Sequence, residues 1–296
     1  MPFLADKSRR NLVVLGSTVC LLPKIAIAQS SRPQPLILGL VTSGSLYPMA
    51  VPFSSKGIDW ANAVSGDAFT DEGLVKVDTI LGATPDGEFY AYSSSGQFLE
   101  KYWGTDWERH NPSYGVGDSG FLTTFKESFP DTYLVSNQLF KPSFSAVTSK
   151  LNRAEILKLQ PRFKRDVLSE LAKEKIDLNA REMLAEADLS YTGNRIFLPS
   201  HKWTITTIKA KRVGDVNPSY LELTWIEAPN LATLRYVSQN IEESLSTVFK
   251  GVLPIPGQQF PLVFLGNYHM VGANYLLSWD VTDSSRTVIL GGDSAC

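Results

Sequence analysis

Cysteine and histidine are scarce in this chain. Cys20 lies near the start, Cys296 is the last residue, and the three histidines, His110, His201 and His269, stand far apart. No Cys-x-x-Cys or His-x-x-x-His spacing occurs, so the usual sequence signatures of zinc, haem and iron–sulfur sites are absent. We expect no cofactor and no metal. Long hydrophobic runs are missing too: the longest near the N-terminus, Leu12 to Leu22, falls short of the roughly 20 apolar residues of a membrane-spanning helix. Nor is there an excess of basic charge, with 28 Lys+Arg against 30 Asp+Glu, which argues against nucleic acid as a partner.

What is present at the N-terminus has the three parts of a cleavable signal peptide. Lys7, Arg9 and Arg10 supply a positive start, Leu12 to Leu22 an apolar centre, and Ala26 and Ala28 an A-x-A cleavage site before Gln29. The string Ser8-Arg9-Arg10-Asn11-Leu12-Val13 resembles the twin-arginine export consensus, and Lys24 adds a charge just after the apolar run. The resemblance implies a periplasmic or secreted protein with no integral membrane segment after cleavage of residues 1–28. The remaining chain keeps only Cys296, so no disulfide within it is possible and its stability must come from packing.

Three regions follow. Residues 29–148 are rich in Gly, Ser, Pro and aromatics. Their short apolar runs at Pro35–Leu40, Leu74–Leu81, Glu88–Tyr92, Phe98–Trp103, Phe121–Phe125 and Thr132–Val135 are separated by turn clusters such as Ser94-Ser95-Gly96. This half reads as β-rich. From Ser149 to about Tyr191 glycine disappears, charge rises, and Ile156, Leu159, Phe163, Val167 and Leu171 recur at helical spacing.

Asn152 to Glu155 resembles a capping box, Pro161 predicts a break or kink, and Asp177 predicts a further helix closed by Gly193-Asn194. After Asn194 alternation of period two predicts a hairpin of Trp203–Ile208 with Tyr220–Ile226. Leu234, Val237, Ile241, Leu245, Val248 and Phe249 then predict an amphipathic helix capped by Gly251. Strands close the chain, with turns expected at Gly266-Asn267 and Asp283-Ser284-Ser285. The expected class is α+β: a β-rich N-terminal half, a central charged helical segment, and C-terminal antiparallel β with one amphipathic helix. Residues 149–296 form its α+β region, with helices at about 152–190 and 231–250 and antiparallel strands after 194.

Candidate chemistry gathers between 102 and 120. Trp103, Asp106, Trp107, Arg109 and Tyr114 combine rings, a carboxylate and a guanidinium, a set suited to stacking on sugar faces and bonding hydroxyls. Glu108 and Asp118 add carboxylates of the kind a glycosidase needs. Gly117-Asp118-Ser119-Gly120 resembles the nucleophile loop of chymotrypsin-like serine proteases. The surroundings depart from that pattern, because Phe121-Leu122 follow and His110 stands only nine residues before Ser119. Residues 82–104 resemble one blade of an NHL-type β-propeller, a unit that occurs once here where a propeller repeats it.

Lys150, Arg153, Lys158, Arg162, Lys164 and Arg165 make a basic run balanced by the acids that follow, the pattern of a solvated helix face. The expected function is an exported envelope protein of binding or accessory type, its partner an envelope protein or a glycan. The alternative is a secreted hydrolase of glycan or ester bonds using Glu108, His110, Asp118 and Ser119.

Overall fold

The computed structural model describes residues 35–42, 45–54, 57–65, 87–104, 108–109, 121–122, 130–141, 146–175, 178–214, 219–240, 246–269 and 272–294. The leader of residues 1–28, the expected strand Leu74–Leu81 and Cys296 lie outside them. Every strand pairing described is antiparallel, and two α-helices are present among the described residues. The molecule is thus richer in β-structure than the expected α+β class implied.

The first sheet holds β1 (Leu36–Thr42), β2 (Ser45–Val51), β5 (Val64–Ser65), β6 (Gly87–Tyr92), β7 (Phe98–Gly104), β8 (Glu108–Arg109), β9 (Phe121–Leu122) and β10 (Thr132–Ser136), in the order β7-β6-β10-β1-β2-β9-β8 with β5 also on β2. A two-stranded ribbon of β3 (Phe53–Ser54) and β4 (Gly57–Ile58) follows β2. Strand β1, Leu-Ile-Leu-Gly-Leu-Val-Thr, is buried throughout, the pattern of a central strand covered on both faces. Three residues join β7 to β8, so Gly104 and Glu108 lie at most about 15 Å apart. A flat sheet in this order would separate those strands by about 29 Å. The sheet therefore curls strongly and brings its two outer strands toward each other.

The second sheet, in the order β11-β12-β13-β14-β15, begins with β11 (Val147–Lys150), from which the chain enters α1 (Arg153–Lys173) and α2 (Leu178–Ala185) before β12 (Leu189–Leu198), β13 (Trp203–Arg212), β14 (Tyr220–Glu227) and β15 (Leu234–Gln239). The capping box at α1 is present: Glu155 N–H donates to Asn152 Oδ1 at 3.0 Å and Asn152 N–H donates to Glu155 Oε2 at 2.9 Å. Pro161 does not divide the helix. Phe163, Val167 and Leu171 are buried against the sheet on its C-terminal side, and Ile156 and Leu159 pack beside them on its N-terminal side, so tertiary packing outweighs the bond the ring removes.

Period two governs the sheet. Ile208, Ala210, Leu221, Leu223 and Trp225 face the helices, while Trp203, Ile205 and Ile226 face the third sheet. The third sheet is β16 (Ser246–Leu253), β17 (Leu262–His269), β18 (Gly272–Ser278) and β19 (Thr287–Ser294) in sequential order. Its faces also divide: Val252, Val263 and Leu265 join the second sheet, and Leu253, Leu262, Phe264, Leu277 and Leu290 join the core of the first. It is the layer between the other two.

Three expectations are corrected. The amphipathic helix at 231–250 does not form, because Leu234–Gln239 and Ser246–Leu253 are strands. In β15, Leu234 and Tyr236 pack toward one core and Val237 toward the other, an alternation that open edges on β14 and β17 select over the helical spacing. Gly193-Asn194 closes no helix, since β12 begins at Leu189. Gly193 instead accepts from Leu151 N–H at 2.9 Å, and a Cβ there would lie 2.8 Å from Leu151 Cδ1. Gly266-Asn267 makes no turn either; β17 runs through both and pairs Gly266 with Tyr275.

Candidate functional site

A cleft of about 470 Å³ opens where three loops meet, within the range usual for small-ligand sites. The first loop is the 3₁₀ turn Trp60–Asn62 after the β3–β4 ribbon. It is pinned by Asp59 N–H donating to Pro52 O at 2.9 Å and by Asn62 Nδ2 donating to Asp59 Oδ2 at 2.8 Å. The second follows β16. Gln258 N–H donates to Ile255 O at 3.2 Å with Pro256 and Gly257 between them, and Gly257 has φ +80°, the arrangement of a type II turn with glycine at its required position. The segment 255–258 is therefore a turn, and it presents Gln258, Gln259 and Phe260 to the cleft.

The third loop joins β18 to β19. Asp280 Oδ1 accepts from the Thr282 N–H at 3.0 Å and from the Thr282 hydroxyl, and Oδ2 accepts from Arg286 Nη1 at 3.1 Å. Asp283 caps the short turn that follows by accepting from Ser285 N–H and hydroxyl. Those bonds, and then the Arg286 charge, hold its carboxyl below the ordinary range. The expected turn at Asp283-Ser284-Ser285 is thus present, and it fixes Trp279 and Arg286.

Trp60 and Trp279 are separated by 219 positions in the chain, yet their rings stack at 5.2 Å between centroids with an interplanar angle of 7°. Both are half-buried, so the pair exposes apolar ring surface beside the polar rim. Trp60 Nε1 donates to Gln258 Oε1 at 3.3 Å, tying the first loop to the second. Behind Gln258 stands His201, whose Nε2 lies 3.3 Å from the Gln258 carbonyl and whose Nδ1 lies 2.8 Å from the Ser200 hydroxyl. A carbonyl accepts only, so Nε2 carries the proton and Ser200 donates to Nδ1. Burial pushes the His201 pKa down, and the bond to the carbonyl opposes this in part. His201 braces the loop, and both its ring nitrogens are engaged there.

The expected site residues fare differently. Trp103 lies on β7 opposite Glu88, and Glu108 and Arg109 form β8 opposite Leu122 and Phe121. The curl of the first sheet brings these strands toward each other. Asp106, Trp107, His110, Tyr114, Asp118 and Ser119 lie outside the described residues. Sequence reasoning missed the Trp60–Trp279 pair because it searched for local clusters, and neither tryptophan has a distinctive neighbourhood in the chain.

A second cleft, of about 490 Å³, runs between α1 and β12. Two of its charged groups are already engaged: Glu186 accepts from Arg212, and Lys164 Nζ donates to Leu184 O at 2.7 Å. The Trp60–Trp279 cleft combines an apolar floor with convergent polar groups, which is what a small-ligand site requires. Among the described residues no group of three or more His, Cys, Asp or Glu side chains is placed to hold a metal ion, and no helix is long and apolar enough to cross a membrane.

Fold and cleft together define a class: an antiparallel three-sheet protein with two helices on one outer face and an aromatic-floored cleft between loops. Comparison with protein-family models, with curated proteins and with solved structures gave no match.

Proposed function

We propose that this chain is an exported binding protein of the cell envelope that holds a glycan in the Trp60–Trp279 cleft. The observation that carries the reading is the stacked indole pair beside Gln258, Gln259, Asp280 and Arg286. The C–H face of a pyranose ring is apolar and its rim is polar, so an aromatic plane flanked by amide, carboxylate and guanidinium groups matches both. Binding is favoured over hydrolysis because a glycosidase needs two working carboxylates. Among the described residues this cleft is lined by one, and both oxygens of Asp280 already accept hydrogen bonds.

The test uses the full-length chain, expressed with its own leader and purified, mixed with insoluble cell-wall glycan. Retention on the glycan that Trp279→Ala lowers at least tenfold, with no release of soluble sugar, is the expected result. Release of sugar that Ser119→Ala or Glu108→Gln abolishes would favour the hydrolase and reject this reading.

A further inference from the structure

The donors and acceptors of the cleft narrow the sugar it takes. An indole N–H donates only, so Gln258 must turn its Oε1 toward Trp60, which fixes the amide and leaves the two N–H groups of Nε2 to donate. Asp280 uses three of its roughly four acceptor sites on Thr282 and Arg286. Arg286 directs Nη1 at Asp280 and Nε at Asp283, 3.4 Å away, while its Nη2 has no partner among the described residues. Gln259, exposed at the rim, can turn either end of its amide inward. The fixed groups therefore offer more donors than acceptors.

Resting on the glycan reading above, we infer that the cleft selects an N-acetylated amino sugar. The acetamido carbonyl is the strongest neutral acceptor on a sugar ring, and its methyl group can lie on the indole surface. An acidic sugar also accepts, but Asp280, Asp283 and Arg286 together carry a net charge of about -1, so a carboxylate meets like charge. A free amino sugar, protonated, is drawn by that charge but sets its N–H groups against the Nε2 and Nη2 donors and has no carbonyl to accept from them.

Three oligomers of equal length separate the possibilities by calorimetric titration of the full-length protein: β-1,4-linked N-acetylglucosamine, its deacetylated form, and β-1,4-linked glucose. The acetylated oligomer should bind about tenfold more tightly than the glucose oligomer, the worth of one well-made hydrogen bond. Gln258→Glu keeps the acceptor for Trp60 but removes the Nε2 donors, so it should weaken the acetylated oligomer more than the glucose oligomer and erase that preference. Equal binding of the acetylated and glucose oligomers, or a preference for the deacetylated one, overturns the inference while leaving the glycan reading intact. Binding of none overturns both. Comparison of the oligomers requires no variant, so the inference remains testable if Gln258→Glu fails to fold.

Discussion

Asp166 is the least exposed carboxylate described on α1, and removing it should be among the most damaging single changes outside the apolar core. Its side chain is 4% exposed; Oδ2 accepts from Trp225 Nε1 at 2.9 Å and Arg235 Nε at 3.2 Å, and Oδ1 accepts from Arg165 Nε at 2.9 Å. Arg162 lies over the Trp225 ring at 5.0 Å and pairs with Glu227 at 2.9 Å, extending the network to the sheet edge. Asp166→Ala leaves a buried indole N–H without its acceptor, at a cost of about 1–3 kcal/mol. It also removes the charge partner of arginines that are themselves partly solvated, which adds less than a fully buried pair would. A total of about 2–4 kcal/mol is expected.

Asp166→Asn still accepts from Trp225 and should cost about 1–2 kcal/mol. The acid limb gives a second readout. Burial acts to raise the carboxyl pKa, but hydrogen bonds from Trp225, Arg165 and Arg235 outweigh it and the net shift is downward. A carboxyl with a lowered folded pKa stabilises fully above its unfolded value near 4 and loses that contribution as pH falls through the folded one. Urea denaturation across pH 7 to 2 should therefore show the gap between wild type and Asp166→Asn closing below about pH 4. Equal midpoints at pH 7, or a gap that persists unchanged at pH 2, would refute the assignment.

Three further outcomes are expected. Gly96 has φ +76°, and a Cβ there would lie 2.6 Å from Pro254 Cδ and 2.7 Å from Val252 O, so Gly96→Ala should cost about 1–3 kcal/mol in urea denaturation and weaken glycan retention by disturbing the strand that leads to Gln258. The His201 pKa is lowered, so its contribution is complete above its unfolded value near 6.5 and declines as pH falls toward the folded one; His201→Gln should flatten stability between pH 7 and 5 in the same assay. Replacing Arg9-Arg10 by Lys-Lys should strand the protein in the cytoplasm on fractionation, and normal delivery to the periplasm would reject the twin-arginine route.

Much of the fold could be read from local pattern where one physical signal dominated. The capping box at Asn152 and Glu155, the stripe ending at Leu171 and the hairpin of β13 with β14 form as their residues indicate. The spacing of Leu234, Val237, Ile241 and Leu245 misled because a few apolar residues fit both periods, and pairing with β14 and β17 decides between them. Gly193 and Gly266 resembled turn signals, yet each sits in a strand where another side chain crosses close to its Cα, Leu151 in one case and Lys250 in the other. Strand β2, from Ser45 to Val51, gave no sign because Pro48 interrupts it, though six of its residues are buried. The candidate site was less legible. The cleft is assembled from segments near 60, 258 and 280, and no sequence window contains more than one of them.

The central claim is that Trp60 and Trp279 form the ligand-contacting surface, and indole N–H resonances test it most directly. The chain has six tryptophans, so six assignable signals report on every ring at once during a titration with the acetylated oligomer. The signals of Trp60 and Trp279 should shift together along one saturation curve while that of Trp225, buried against the helices, stays in place. Shifts confined to Trp103 and Trp107 would contradict the account and return the site to the region between 102 and 120.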